Sequence, residues 1–238
     1  MLKATIKDKT TYIPLSYKEL TLRIWLDLKK NKETDFANFF LGRSYSALSI
    51  QEQQIFSIAL SFLDQDFPSI PPIHPIDISQ KSISQKIDAL IELKQLNNDL
   101  EQALPHIYAI FVQDSETYNE DEYKQQLNYI LEQPFHSAYS ECLNYANALI
   151  ENEQFLSKVL KKVPYSNEQV LAGIKDLEIT SNLNFILTIA ERYRISKYKA
   201  EKVSIEEANA LLILINRNAA FQKKLQEVYN KKLKAKNK

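Results

Sequence analysis

Apolar residues in this 238-residue chain recur mainly at helical spacing, and prolines and capping residues interrupt them more often than glycines do. Apolar positions three and four apart mark the buried stripe of a helix, whereas strict alternation marks a strand. Residues 1–13 alternate: Leu2, Ala4 and Ile6 stand between Lys3, Thr5 and Lys7, so a short strand is expected there. Ser16 and Glu19 then have the S-x-x-E spacing in which a hydroxyl and a carboxylate each accept a backbone N–H at a helix start, and Thr21 is a second cap. Beyond them Leu22, Trp25, Leu26 and Leu28 lie at helical spacing, interleaved with Arg23, Asp27 and Lys29. A short helix over 35–41 should end at Gly42. Ser49 and Glu52 repeat the capping spacing, and the expected buried stripe after them is Ile55, Ile58, Ala59, Phe62 and Leu63.

Four of the eight prolines (Pro68, Pro71, Pro72 and Pro75) fall within residues 67–79. Proline fixes φ and removes a backbone donor, so this stretch reads as an extended strap. It divides the chain into an N-terminal module (1–66), the proline-rich strap (67–79) and a helical domain with a basic C-terminal tail (80–238). In that domain a long helix is expected from Ser84 through Ile87, Leu90, Ile91, Leu100 and Leu104, kinked or restarted at Pro105. Residues 106–112 are apolar enough to be buried. An acidic loop, 114–122, leads to a helix with Tyr123, Leu127, Ile130 and Leu131 inward and Pro134 at its end. Residues 137–160 read as helix, Pro164 as its terminator, and Ser166 with Gln169 as the next cap. The last helices are expected over 183–194 and 205–234.

Composition sharpens this picture. There are only two glycines, Gly42 and Gly173. Tight hairpins and phosphate-binding loops need glycine where φ is positive or a ligand approaches the backbone. The expected class is predominantly all-α, a multi-helix protein whose small N-terminal module includes a short β-strand. Lys plus Arg and Asp plus Glu both number 30, so no net field draws the chain to nucleic acid or a membrane. No apolar run approaches the roughly 20 residues of a membrane span. A single cysteine, Cys142, excludes an intramolecular disulfide and points to synthesis in a reducing cytoplasm.

Chemistry is hard to find in the pattern. His74, His106 and His136 are scattered, and no H-E-x-x-H, G-x-S-x-G, Walker loop or G-x-G-x-x-G is present. Cys142 lies in an amphipathic helical pattern, where thiols are usually buried. The acidic run Asp114, Glu116, Glu120, Asp121, Glu122 lacks the mid-loop glycine and ligand spacing of an EF-hand, and suits a solvated loop feeding a helix N-terminus. The expectation is therefore no catalytic residue, no cofactor and no metal. One region is strongly charged: between Arg217 and Lys238 lie seven lysines against Glu227 alone among the acids. Such a run can hold nucleic acid, but it equally suits the cation-favouring end of a last helix and a solvated tail, which is the reading preferred here.

Three segments carry a family resemblance. Ile13-Pro14-Leu15-Ser16-Tyr17-Lys18-Glu19-Leu20-Thr21-Leu22 is similar to an I-P-x-S-W-x-E-L-T-L opening, with Tyr17 in place of the tryptophan. Leu104-Pro105-His106-Ile107-Tyr108-Ala109-Ile110-Phe111, then the acidic loop and Glu132-Gln133-Pro134-Phe135, follows the same order of features. Ile189-Ala190-Glu191-Arg192-Tyr193-Arg194-Ile195-Ser196-Lys197-Tyr198, leading to Val203, resembles L-A-x-x-x-I-T-K-Y-x-x-V. Together they resemble phage tail-assembly proteins, the group of tail assembly chaperones and small baseplate-assembly proteins. The motifs are short and structural, and carry no active site.

What the resemblance implies is a non-enzymatic phage morphogenesis protein, either a tail chaperone or a component of the tail, baseplate or connector. Its partners would be other tail or virion proteins, the tape measure among them, with self-association left open. It would act in the host cytoplasm during assembly, with retention in the virion undecided. Two alternatives stand beside it: a helical adaptor of a contractile injection or secretion system, which would share the same physics, and a nucleic-acid-binding accessory protein using the C-terminal lysines. Candidate interface residues are Tyr17, Trp25, Lys231, Lys232 and Lys234; tyrosine and tryptophan bring apolar area with a polar handle to an interface.

Overall fold

The structure, a computed structural model, describes residues 2–6, 9–30, 36–61, 75–97, 99–113, 118–160 and 181–236. The chain is predominantly α-helical. Its contacts group into two compact units that do not follow chain order. One comprises residues 1–76, 91–113 and 119–146, the other 77–90, 114–118 and 147–238. The boundaries at 90/91 and 146/147 fall inside helices. Of the expected strap, only residues 75–79 lie among those described.

The first unit opens with an antiparallel hairpin, β1 (Leu2–Ile6) and β2 (Lys9–Ile13), which pairs Leu2 with Ile13 and Ile6 with Lys9. One strand was expected over 1–13; the chain instead folds back on itself, so each half satisfies the other's backbone groups. The Ser16/Glu19 pair does not open the expected helix. Residues 17–19 form a single 3-10 turn, and the Glu19 carboxylate accepts the N–H of Leu15 at 2.8 Å. The helix itself, α1 (Leu22–Lys30), begins after Thr21, whose hydroxyl accepts from the Ile24 N–H at 3.4 Å.

α2 (Phe36–Leu41) ends at Gly42, which takes φ +65° and donates to the Asn38 carbonyl at 2.9 Å. That left-handed turn is the backbone state glycine adopts without strain. α3 (Ile50–Leu60) starts with the full Ser49/Glu52 capping box. Its buried face is Phe56, Ala59 and Leu60; of the expected stripe Ala59 is buried, Ile55 and Ile58 are exposed, and Phe62 and Leu63 lie outside the described residues.

α4 (Ile83–Gln95) and α5 (Leu100–Phe111) are separate helices, where one helix breaking at Pro105 was expected. The break falls at Asn97, which takes φ 56°, and Asp99 caps the restart by accepting the Gln102 N–H. An asparagine in the left-handed region ends a helix cheaply. Pro105 sits inside α5, buried, at the cost of one backbone hydrogen bond. α5 is the apolar centre of this unit: Leu104, Ile107, Ala109, Ile110 and Phe111 are almost fully buried. Around it lie α6 (Glu120–Glu132), capped by Asn119, and the first part of α7 (Phe135–Val159).

The second unit contains the start of α4, the end of α7, α8 (Ser181–Tyr193), α9 (Lys197–Glu201) and α10 (Ile205–Lys236). α8 ends at Arg194 with φ 54°, where the Ile195 N–H returns to the Ala190 carbonyl at 3.0 Å. Ser196 then caps α9. The core gathers Ile83, Ile87, Leu149, Leu156, Ile189, Ile205, Ala208 and Leu211. The expected terminator Pro164 and cap Ser166/Gln169 lie outside the described residues.

Candidate interaction site

Among the described residues of the first unit, His106 and Cys142 are both occupied with packing. His106 on α5 has Nδ1 2.5 Å from the Tyr123 hydroxyl on α6 and 3.8 Å from the Glu92 carboxylate on α4. Burial outweighs the attraction of Glu92 and lowers the basicity of the imidazole, so the ring is held neutral between three helices. Cys142, on α7, is completely buried, and burial together with Glu141 pushes its thiol far above the ordinary range. A thiol that cannot ionise is not a nucleophile. Tyr108 packs edge-on to Tyr145, and Phe111 stacks on the same ring. Among the described residues no three His, Cys, Asp or Glu side chains converge as metal ligands. Of the acidic run, Glu120, Asp121 and Glu122 form the first turn of α6, where Asn119 Oδ1 accepts from the N–H groups of Asp121 and Glu122.

The second unit buries a cation. Lys86 is 5% exposed, in line with Ile83 and Ile87 on α4. Its Nζ lies 2.7 Å from the Glu153 carboxylate, 2.8 Å from Asn152 Oδ1 and 3.4 Å from Asn209 Oδ1. The two asparagine oxygens accept ammonium protons, and Glu153 adds an opposite charge at ion-pair distance without a hydrogen bond to its Oε1, which together offset the desolvation of the cation. Asn209 Nδ2 also donates to Asn152 Oδ1 at 3.3 Å. Both asparagines line an open cleft of about 650 Å³, together with Phe155, Ile205, Glu206 and Ile213. Among the described residues that line the cleft there is no lysine or arginine. Sequence reading missed this network; its one signal is a lysine inside an apolar stripe.

The five candidate interface residues are divided between the units: Tyr17 and Trp25 belong to the first, Lys231, Lys232 and Lys234 to the second. Tyr17 lies in the 3-10 turn, and its side chain is outside the described residues. Trp25, half-buried on α1, packs its ring 4.5 Å from that of Phe135. Lys231 and Lys232 are exposed on α10, and the Lys234 side chain is outside the described residues. What surrounds the lysines is more informative than the lysines themselves. Leu214, Phe221, Val228, Tyr229 and Leu233 are all about half exposed or more, and Leu225 is part-buried beside them. From Arg217 onward α10 has no buried residue among those described. A stretch of about 20 residues spans roughly 30 Å, and an isolated helix of that length is marginal in water. Among the described residues this half-helix carries exposed apolar side chains, the feature that marks association surfaces.

No family model matches this chain, and no curated protein or solved structure shows significant similarity to it.

Proposed function

We propose that this chain is a non-enzymatic phage morphogenesis protein that works by contact with other proteins, as a tail assembly chaperone or as a component of the tail, baseplate or connector. The observation that carries the contact part is the distal half of α10, whose large apolar side chains Phe221, Val228 and Leu233 face solvent. The phage part rests on the three tail-assembly-like segments at 13–22, 104–135 and 189–203. His106, Cys142 and Lys86 fit this reading, each being held by packing or by polar neighbours. The test is a phage lacking the gene. Incomplete particles, together with recovery of tail or connector proteins on the tagged chain, are the expected result. Normal infectious yield from the deletion phage overturns the reading.

A further inference from the structure

The distal residues of α10 can be lettered as a heptad with an apolar d row and a mixed a row, Leu233 falling outside the seam at b. Leu214, Phe221 and Val228 repeat at seven-residue intervals and take the d position; Asn218, Leu225 and Lys232 take a. Arg217, Lys224 and Lys231 then all fall at g, the row flanking the seam, and all three are exposed. The opposite flank, e, carries Gln222 and Tyr229. Leu211, one heptad before Asn218, is buried in the second unit, so the seam begins in the folded core and continues into solvent. In a coiled coil the a and d residues form the dry seam, and the e and g charges select the partner.

That charge pattern discriminates between occupants. Two antiparallel copies set g against g, so Arg217, Lys224 and Lys231 of each chain would face cations. Two parallel copies set a against a, so Lys232 would meet itself in the seam. Like charges in these positions are a standard means of rejecting a partner. A helix with an apolar a/d row and carboxylates along the facing flank meets three cations with three anions and gives Lys232 an acidic neighbour. We infer that the distal half of α10, from Leu214 to Leu233, is a docking helix for an acidic, heptad-patterned helix of a different protein. The inference rests on the contact-protein reading and adds the chemistry of the partner.

The experiment uses the full chain and two labelled synthetic helices of about four heptads with Leu at a and d. One probe carries Glu at e and g, the other Lys, and binding is followed by fluorescence anisotropy. The acidic probe should bind and the basic one should not. Phe221→Asp with Val228→Asp should abolish binding, while circular dichroism shows the rest of the fold intact. Reversing Arg217, Lys224 and Lys231 to Glu should weaken the acidic probe about tenfold and let the basic probe bind, since each exposed pair contributes modestly. Equal binding of both probes, binding of neither, or a stable homodimer that Phe221→Asp dissolves would each overturn the inference. So would duplex DNA bound as tightly by the Phe221→Asp, Val228→Asp variant as by the parent. If neither probe binds but the deletion phage still yields incomplete particles, the docking inference alone fails. If the acidic probe binds and the deletion phage is normal, the phage reading alone fails.

Discussion

Ser82 and Ser204 face each other in an isolated antiparallel bridge, and each also caps the helix that follows it. The N–H of Ile83 donates to the Val203 carbonyl and that of Ile205 to the Lys81 carbonyl, both at 2.8 Å. Ser82 Oγ accepts from Gln85 N–H, and Ser204 Oγ from Glu207 N–H, both at 3.2 Å. Two helix N-termini are thus tied together with their exposed donors satisfied, and the first helical residue of each, Ile83 and Ile205, is buried. The first unit uses the same device: Thr21 bridges Pro134, with Leu22 N–H on the Gln133 carbonyl and Phe135 N–H on that of Leu20.

Replacing either serine removes one cap from this paired start. Ser82→Ala and Ser204→Ala should each lower stability by about 1 kcal/mol, and thermal denaturation of the two single variants measures it. Gln85 Oε1 accepts the Ser82 N–H at 3.1 Å, so Gln85→Ala should act in the same direction. Unchanged midpoints in all three variants would show that the bridge alone holds the helices.

The buried cation supplies a second test. Lys86→Met keeps the volume but leaves Asn152 and Asn209 facing a thioether, and should cost about 1–3 kcal/mol. Glu153→Gln retains an acceptor at a part-exposed position and should cost less. Urea unfolding of both variants measures the order, and a Lys86→Met variant as stable as the parent would show the network to be dispensable.

His106 predicts a pH dependence. Its folded-state value lies below the ordinary 6.5, because burial penalises the charged ring. The stability from holding it neutral is fully present above 6.5 and is lost as pH falls through the lowered folded value. The drop in unfolding midpoint between about pH 7.5 and about pH 5 should therefore be smaller in His106→Gln than in the parent. Equal drops would show that the ring charges freely in the fold.

Cys142 should resist a thiol reagent. It is buried and its ionisation is suppressed, so labelling in the native state should be slow and should become complete only in denaturant. Fast native labelling would place the thiol at the surface.

Local chemistry made much of the helical skeleton legible. Gly42 ends α2 with a positive φ, Ser49 and Glu52 close a capping box, and the last helix runs over nearly the span its periodicity predicts. These features depend on residues within one turn of each other, which is why spacing reveals them. The lysine row at Lys231 and Lys232 was visible as charge, but its meaning required knowing which apolar neighbours stay uncovered.

Where reading failed, distant residues decided. Pro105 was expected to break a helix, yet the apolar centre of the first unit holds it inside α5, and the break moves to Asn97. The buried face of α3 turns to Phe56, whose ring lies 6.4 Å from those of Phe40 and Tyr45, leaving Ile55 and Ile58 outside. The partners of Trp25 and Lys86 stand on other helices: Phe135 for the first, Asn152 and Asn209 for the second. The sequence by itself determined those helix ends that local caps fix, Gly42 after one helix and Ser49 with Glu52 before the next, because capping acts over a few residues. Only the tertiary structure decided which stripe is covered, because burial depends on side chains that meet from far along the chain.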